Sequence, residues 1–365
     1  MAAPIFVVGT MRSGSTLLRL ILDSHDDIAI GEETGFAGAI ASTRKIPNWR
    51  YGDEWFTRLG WTEQELDQRL HDFYAPMFER HAAAQGKKRW GDKTPFHSWH
   101  MLDLARIFPD AVFVGIVRHP GAVVASLVKK FHYGVPEAAD YWTSTNLEVL
   151  RRGTGLGADR FALVRYEDVV TTPEPTLRDL MAWLGEHWTD ALLRHQEVQA
   201  AKGAPRLVDG STSTRAPIDP DRANSWRQTL TPTQQQEVAA RTSTVAQFLG
   251  YDTTDATHLG PLAEGRTVVT GDEVASRHRD WRPPFALAPA DTQAAPVVAD
   301  MSTEDLVRRL AQAEASLARI RARPVVRASD ALRRLQKSTD VPTVAELRTA
   351  ARRLGRRAQA REERP

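Results

Sequence analysis

Up to about residue 250, short apolar runs are each followed by a longer segment whose apolar residues recur at helical spacing. The runs at 4–9, 111–118 and 161–170 are continuous rather than alternating, which is typical of strands buried on both faces of a parallel sheet. A shorter strand-like run, 27–31, follows the first helical segment. Because strands and helices alternate, the sequence predicts an α/β fold: a parallel sheet flanked by helices, with right-handed crossovers.

Polar and helical segments interrupt this alternation between residues 36 and 92. The insertion contains four tryptophans, Trp49, Trp55, Trp61 and Trp90. Ligands of open α/β sheets bind beyond the carboxyl ends of the strands, so we predict that the insertion 36–92 is a helical substrate lid over that edge.

The chain changes character towards its end. We predict one α/β domain over 1–282, a Pro- and Ala-rich linker over 283–300 and a helical, basic C-terminal extension over 301–365. One helical face of the extension collects four apolar residues, Leu306, Leu310, Leu317 and Ile320.

Charge is spread unevenly over the 365 residues, whose net charge is +2. Residues 321–365 hold 13 Lys and Arg against 5 Asp and Glu, so that segment carries +8 and the remainder −6. The mildly acidic body does not favour polyanion binding. The basic tail is a candidate for self-association or for contact with an anionic surface. A solvated extension is the simpler interpretation, because the apolar stripe covers only about three turns.

The absence of cysteine excludes disulfides, thiolate metal sites and a cysteine nucleophile, and it is consistent with a reducing compartment. The first residues lack a basic signal region, and there is no apolar run of the roughly 18 residues that a membrane span needs. These features predict a cytoplasmic protein without a membrane span.

The stretch from Val7 to His25, VVGTMRSGSTLLRLILDSH, joins the first strand to the first helix through a glycine-bearing loop. Gly9 and Gly14 have the spacing of a triphosphate-binding loop, but Ser15 stands where such a loop needs lysine. Backbone amides at a helix N-terminus still bind an anion, and Arg12 supplies positive charge. The loop is therefore P-loop-like but is not suited to a magnesium-bound γ-phosphate.

The wider pattern, RSGSTLLRLILDSH followed by GEETGF, resembles the 5'-phosphosulfate loop of sulfotransferases that use 3'-phosphoadenosine 5'-phosphosulfate (PAPS). It is most similar to the pattern of tyrosylprotein sulfotransferases and related bacterial enzymes, and the resemblance runs with gaps over 6–251. It implies the sulfotransferase fold, PAPS as co-substrate and no metal. It also implies that the 5'-phosphosulfate is held by Arg12, Ser13, Gly14, Ser15 and Thr16.

The resemblance implies a second cradle, for the 3'-phosphate, made by a strand-end arginine and a serine eight residues later. Arg118 and Ser126 have that spacing, and about two helical turns let Ser126 point back towards the helix start. VRYED (164–168) resembles the segment whose tyrosine, here Tyr166, lies near the adenosine. NSWRQTL (224–230) resembles the late loop that closes over the nucleotide, with Ser225 and Trp226 as its candidates.

Sulfuryl transfer needs positioning, a base for the acceptor proton and neutralisation of the leaving phosphate. The segment GDKTPF (91–96) resembles the family segment whose lysine lies near the bridging oxygen, so Lys93, with Arg12, is the candidate for leaving-group stabilisation. By the same resemblance Glu33 is the candidate base, with Glu32 as the alternative.

Histidine is the base in other sulfotransferases. His97 and His100 follow the lysine segment and are the histidine candidates. His119, beside Arg118, is better suited to orienting or packing.

The chemical class of the acceptor is inferred from residues near Glu33 and from the insertion 36–92. Gly35 and Ala39 stand where the tyrosylprotein enzymes carry arginines that suit acidic peptides, and the tryptophans of the insertion suit a sugar or aromatic face. We therefore predict a small-molecule or glycan hydroxyl as acceptor. Protein tyrosine is the alternative within this family. A P-loop small-molecule kinase and a non-catalytic nucleotide-binding scaffold are the alternatives outside it.

Overall fold

A mostly parallel sheet organises the part of the chain that the computed structural model describes, residues 2–44, 52–203, 216–252 and 267–280. Its six strands lie in the order β2-β3-β1-β4-β5-β6, and only β6 runs antiparallel to its neighbour, β5. The strands are β1 (Ile5–Val8), β2 (Ile28–Ile30), β3 (Arg89–Lys93), β4 (Val112–Val117), β5 (Phe161–Arg165) and β6 (Val268–Thr270).

Helices connect these strands and cover the sheet. Those before β4 are α1 (Ser15–Asp23), α2 (Phe36–Arg44), α3 (Gly52–Arg58), α4 (Glu63–Ala84) and α5 (Met101–Ile107). Those between β4 and β6 are α6 (Pro120–Phe131), α7 (Val135–Leu156), α8 (Tyr166–Thr171), α9 (Pro173–Leu184), α10 (His195–Ala201) and α11 (Pro232–Phe248). The helix α12 (Gly271–Asp280) follows β6, and short 3-10 turns occupy Pro95–Trp99, Asp190–Leu192, Pro220–Ala223 and Ser225–Gln228.

Two apolar cores lie on opposite faces of the sheet because successive side chains of a strand point to opposite sides. Phe6 and Val8 of β1 belong to one buried cluster, and Ile5 and Val7 belong to the other. The central strands are therefore apolar on both faces, as the continuous runs in the sequence predict, and the α/β fold class is confirmed.

Three details differ from the sequence prediction. The run 161–170 is a strand only to Arg165, and α8 begins at Tyr166, where Glu167 and Asp168 place acidic groups in the first helical turn. The insertion 36–92 ends inside the sheet, because residues 89–92 belong to β3, and the strand β6 has no counterpart in the sequence analysis.

The tryptophans of the insertion do not share one environment. Trp90 is buried on β3, where its ring stacks on Phe78 with centroids 4.5 Å apart. Trp55 and Trp61 are 60% and 37% exposed. Trp49, the linker 283–300 and the extension 301–365 lie outside the described residues, so their roles stay predictions. Among the described residues, the structure contains no helix that is both long and apolar enough to cross a membrane.

Candidate active site

The loop between β1 and α1 is held in a conformation that depends on its glycines. Gly9 has φ 151° and its Cα packs so closely on β4 that an added Cβ would lie 2.3 Å from the carbonyl oxygen of Ile116. Gly14 has φ 96°, and a Cβ there would lie 2.3 Å from Tyr166. Arg12 adopts a left-handed φ of 70°, which is uncommon for a residue with a side chain.

The N-cap residue of α1 is Gly14, which has no side chain with which to cap the helix. The loop is stabilised by Ser98, whose hydroxyl accepts from the Gly9 amide (2.9 Å) and donates to the Gly9 carbonyl (3.1 Å). The buried hydroxyl of Ser13 donates to the Thr10 carbonyl at 2.7 Å. Ser13 therefore supports the loop with its side chain, and the N-terminus of α1 that follows is the kind of helix end that attracts an anion.

One cavity of about 330 Å³ opens in front of this loop. It gathers residues from four separate segments of the chain, 12–17, 118–129, 166 and 217–229, which are joined only in the tertiary structure. All of the sequence-predicted nucleotide-binding residues except Ser13 line it, namely Arg12, Gly14, Ser15, Thr16, Arg118, Ser126, Tyr166, Ser225 and Trp226.

The two predicted anion cradles meet across this cavity. Arg12 Nε donates to Ser126 Oγ at 2.8 Å, although 114 residues separate them. Arg118 Nη1 donates to the Arg12 carbonyl at 3.3 Å. Both arginines therefore face the same space, as one nucleotide with an anion at each end would require.

Arg118 is bound by backbone carbonyls and an aromatic ring. Its Nη2 donates to the Arg222 carbonyl at 2.9 Å, and its guanidinium lies 4.1 Å above the Tyr166 ring centroid. Its Nε is buried without a hydrogen-bond partner among the described residues, and the same holds for Nε1 of Trp226. Unpaired buried donors are costly, so these two groups fit an acceptor-rich ligand such as a phosphate or a purine.

The second cradle is a helix N-terminus that is already capped. Nδ1 of His119 accepts from the Gly121 amide at 3.1 Å, and Nε2 lies 3.2 Å from the Asp252 carbonyl. Burial lowers the pKa of His119 to about 4, which keeps the ring neutral with Nε2–H as the donor. The sequence analysis gave His119 an orienting or packing role, and in the structure its ring caps α6 and stacks on Trp226.

A lysine–glutamate pair lies beside the first cradle. Lys93, whose side chain is 1% exposed, forms an ion pair with Glu33 Oε1 and donates to Thr16 Oγ1 at 3.1 Å. Since β3 lies between β2 and β1 in the sheet, the residues that follow these strands meet at its carboxyl edge. Lys93 is thus a buried link between Glu33 and the phosphate loop, not an ordinary surface lysine.

A second contact runs parallel to this ion pair. Thr34 Oγ1 donates to Asp92 Oδ2 at 2.8 Å and accepts from the Phe36 amide at the start of α2. Because Thr34 and Asp92 are the chain neighbours of Glu33 and Lys93, this bond fixes the register between the two catalytic candidates.

The alternative bases are placed less favourably. His97 is fully buried, with its ring edge-on to Phe6 at 5.3 Å. His100 lies 3.8 Å from Asp103 at the start of α5. Glu32 and Glu33 are both exposed, so exposure does not separate them. Among the described candidates, Glu33 forms an ion pair with Lys93.

Three charged residues that sequence reasoning missed also line the cavity: Lys129, Asp219 and Arg222. Lys129 follows Ser126 by three positions on α6, so helical spacing could have found it. Asp219 and Arg222 lie in a polar segment whose composition predicts only a loop, and they pair with each other at 3.2 Å.

Comparisons with known proteins agree with this geometry. The model of the sulfotransferase family matches residues 4–190. Protein-tyrosine sulfotransferase 1 of Danio rerio is 29% identical over 274 residues, covering 72% of this chain and 75% of its own. Protein-tyrosine sulfotransferase 1 of Homo sapiens is 28% identical over 261 residues, covering 68% and 69%. The sulfotransferase domain of the Synechococcus PCC 7002 olefin synthase shares the fold, with TM-score 0.50, 24% identity and coverage of 69% and 97%.

Proposed function

The chain belongs to the sulfotransferase family, and we propose that it transfers the sulfuryl group of PAPS to a hydroxyl of a small-molecule or glycan acceptor. The observation that carries the proposal is the position of Lys93, which contacts both Glu33 and Thr16 of the phosphate loop. A cation placed between a carboxylate and an anion site can serve a reaction in which one side takes up a proton while the other gains negative charge.

In the proposed reaction the acceptor oxygen attacks sulfur, and the bond from sulfur to the bridging phosphate oxygen breaks. The acceptor proton passes to Glu33, whose side chain is 35% exposed and therefore open to an incoming hydroxyl. The electron pair of the broken bond stays on the 5'-phosphate of the leaving adenosine 3',5'-bisphosphate. Lys93, Arg12 and the amides of Ser15 and Thr16 neutralise that charge.

The cavity supplies the recognition of the nucleotide in this proposal. Arg118 and Ser126 hold the 3'-phosphate, while Tyr166, Ser225 and Trp226 enclose the adenosine. Ser15 replaces the lysine that a triphosphate loop needs, which favours a phosphosulfate over Mg·ATP. No step of this scheme calls for a metal ion.

The acceptor preference rests on the surroundings of Glu33. Gly35 has φ 68°, and apart from its chain neighbours no atom of the described residues lies within 4 Å of where its Cβ would be, so the position offers open space rather than a cation. Ala39 is exposed and uncharged. Arg44, further along α2, is occupied by Asp67 at 2.6 Å. An acidic peptide would find little positive charge along this part of α2.

Protein tyrosine is the second candidate acceptor, because the relatives that match about two thirds of the chain or more are named protein-tyrosine sulfotransferases. A tyrosine hydroxyl would use the same base and the same donor cavity, and only the groups that hold the acceptor would differ.

The test is a transfer assay with radiolabelled PAPS and EDTA, in which hydroxyl-bearing small molecules, oligosaccharides and acidic tyrosine peptides compete at equal concentration. Preferential labelling of small molecules or oligosaccharides is expected. Labelling confined to the tyrosine peptide would transfer the proposal to the second candidate. Thermal stabilisation by Mg·ATP but not by adenosine 3',5'-bisphosphate would contradict the sulfotransferase proposal itself.

A further inference from the structure

A buried carboxylate that the proposed chemistry does not use lies behind the nucleotide cavity. Glu167 follows Tyr166 at the start of α8 and is 4% exposed. Its Oε1 accepts from the His119 backbone amide at 2.9 Å, and its Oε2 accepts from the Tyr251 hydroxyl at 2.8 Å. Burial raises the pKa of Glu167, so the chain keeps this carboxylate here at an electrostatic cost.

His119 connects Glu167 to Trp226, which lines the cavity. Its ring stacks on Trp226 with centroids 4.7 Å apart and planes 18° from parallel, and it meets Tyr251 edge-on at 5.5 Å. Its Nε2 donates to the Asp252 carbonyl at 3.2 Å, which ties the segment after α11 to the start of α6. His119, Glu167 and Tyr251 form one contiguous cluster, which we call the buried hub.

Three residues that line the cavity, Arg118, Tyr166 and Trp226, are attached to the buried hub. Arg118 precedes His119 in the chain, Tyr166 precedes Glu167, and Trp226 packs on the His119 ring. Gly121 also packs closely against Trp226, because a Cβ added at Gly121 would lie 2.5 Å from the indole ring. Four segments distant in sequence therefore take their relative positions from three side chains.

We propose that His119 and Glu167 are positioning residues that set the affinity for the 3'-phosphate by holding Arg118 in place against Tyr166 and Trp226. The inference rests on the proposed function, since it presumes a 3'-phosphorylated nucleotide in the cavity. Neither residue contacts that nucleotide directly in this scheme, because neither lines the cavity.

The chain contains a matched control for His119. His25 is also fully buried, its Nδ1 accepts from the amide two residues later, Asp27 (3.0 Å), and its Nε2 lies 2.9 Å from the His187 carbonyl. His25 follows α1 at its C-terminal end and does not line the cavity. Both histidines thus make the same local bonds, but only His119 is connected to the 3' side of the cavity.

The experiment measures Kd by calorimetry for adenosine 3',5'-bisphosphate and for adenosine 5'-monophosphate. The Kd for the monophosphate divided by the Kd for the bisphosphate isolates the contribution of the 3'-phosphate. His119→Asn keeps an acceptor for the Gly121 amide but removes the ring, and Glu167→Gln leaves one acceptor oxygen where the carboxylate has two. We expect the ratio to fall about tenfold in each, the value of one well-placed hydrogen bond, and to stay unchanged in His25→Asn.

An unchanged ratio in His119→Asn and Glu167→Gln would overturn the inference, and so would an equal fall in His25→Asn, which would indicate general destabilisation. If His119→Asn fails to fold, Glu167→Gln and Tyr251→Phe decide the question by the same ratio. A wild-type protein that binds both nucleotides equally would contradict the proposed function, whereas a wild-type preference for the bisphosphate with unchanged variant ratios would contradict this inference alone.

Discussion

Two helix N-termini meet at the cavity, and they are built in opposite ways. At the start of α1 the chain makes a wide loop with left-handed Arg12 and Gly14, and no side chain caps the helix. At the start of α6 the turn is tight, and His119 occupies the Gly121 amide. In the proposed function, the first end presents backbone amides to an anion, while the second presents side chains, Arg118 just before α6 and Ser126 within it.

The difference suggests a division of work between the two ends. Preorganised backbone amides at a helix end can stabilise charge that develops on a reacting group, and Lys93 and Glu33 lie beside the α1 end. In the proposed function, the capped α6 end would serve ground-state recognition of the 3'-phosphate. Changes near α1 should therefore alter turnover, and changes near α6 should alter affinity.

The largest effect is expected for Glu33→Gln, which removes the proposed base without changing its size. Turnover should fall roughly 10²–10⁴-fold, the usual contribution of a general base, with the Kd for adenosine 3',5'-bisphosphate unchanged. Steady-state assays beside calorimetry check both values, and Glu32→Gln is the matched control. Near-normal turnover in Glu33→Gln would remove Glu33 from the base role.

Arg118→Ala tests the opposite end. The loss of a charged, forked donor should weaken bisphosphate binding by about 10²–10³-fold while leaving adenosine 5'-monophosphate nearly unaffected. Arg118→Lys should give an intermediate Kd, because it keeps the charge but not the fork. If both nucleotides weakened equally, Arg118 would not be specific for the 3'-phosphate.

The neutral cap at α6 predicts a dependence of stability on pH. Burial lowers the pKa of His119 to about 4 in the folded protein, whereas an unfolded histidine titrates near its ordinary value of 6.5. Between these values the unfolded chain binds the proton and the folded chain does not, so stability falls as pH falls.

From pH 7 to pH 5 this difference amounts to about 2 kcal/mol of unfolding free energy. Urea titrations of the wild type and His119→Asn at both pH values measure it. Between pH 7 and pH 5, His119→Asn should lose about 2 kcal/mol less unfolding free energy than the wild type. Identical losses in the two proteins would refute a neutral, buried His119.

The smallest effect is expected for Gly14→Ala, which places a Cβ 2.3 Å from Tyr166 at the open end. Displacement of Tyr166 should raise the Kd for adenosine 3',5'-bisphosphate and for adenosine 5'-monophosphate by about tenfold, since part of the adenosine contact is lost. Gly86→Ala is the control, because Gly86 has a similar backbone, φ 70°, with no atom within 4 Å of the added Cβ. Equal nucleotide affinities in the two variants would show that Tyr166 does not depend on Gly14.

Much of the fold and part of the site could be predicted from the sequence. Continuous apolar runs locate β1 and β4, and the spacing of Gly9 and Gly14 locates the anion loop. The strand β3 was missed because Arg89, Asp92 and Lys93 make it look polar, although all of its residues are buried. Those polar side chains are stabilised by distant partners, such as Glu186 for Arg89, which local periodicity cannot reveal.

By itself, the sequence determined the strand–loop–helix units and the arginine and serine positions within them. These depend on helical and strand periodicity and on the backbone freedom of glycine, which act over a few residues. Only the tertiary structure decided that Arg12 meets Ser126 and that Lys93 links Glu33 to Thr16. It also decided that the buried hub joins the start of α6 to α8 and to the segment after α11. Those contacts depend on the order of the strands and on how the helices pack against the two faces of the sheet. Both are set by burial of apolar side chains from the whole chain, which no local pattern records.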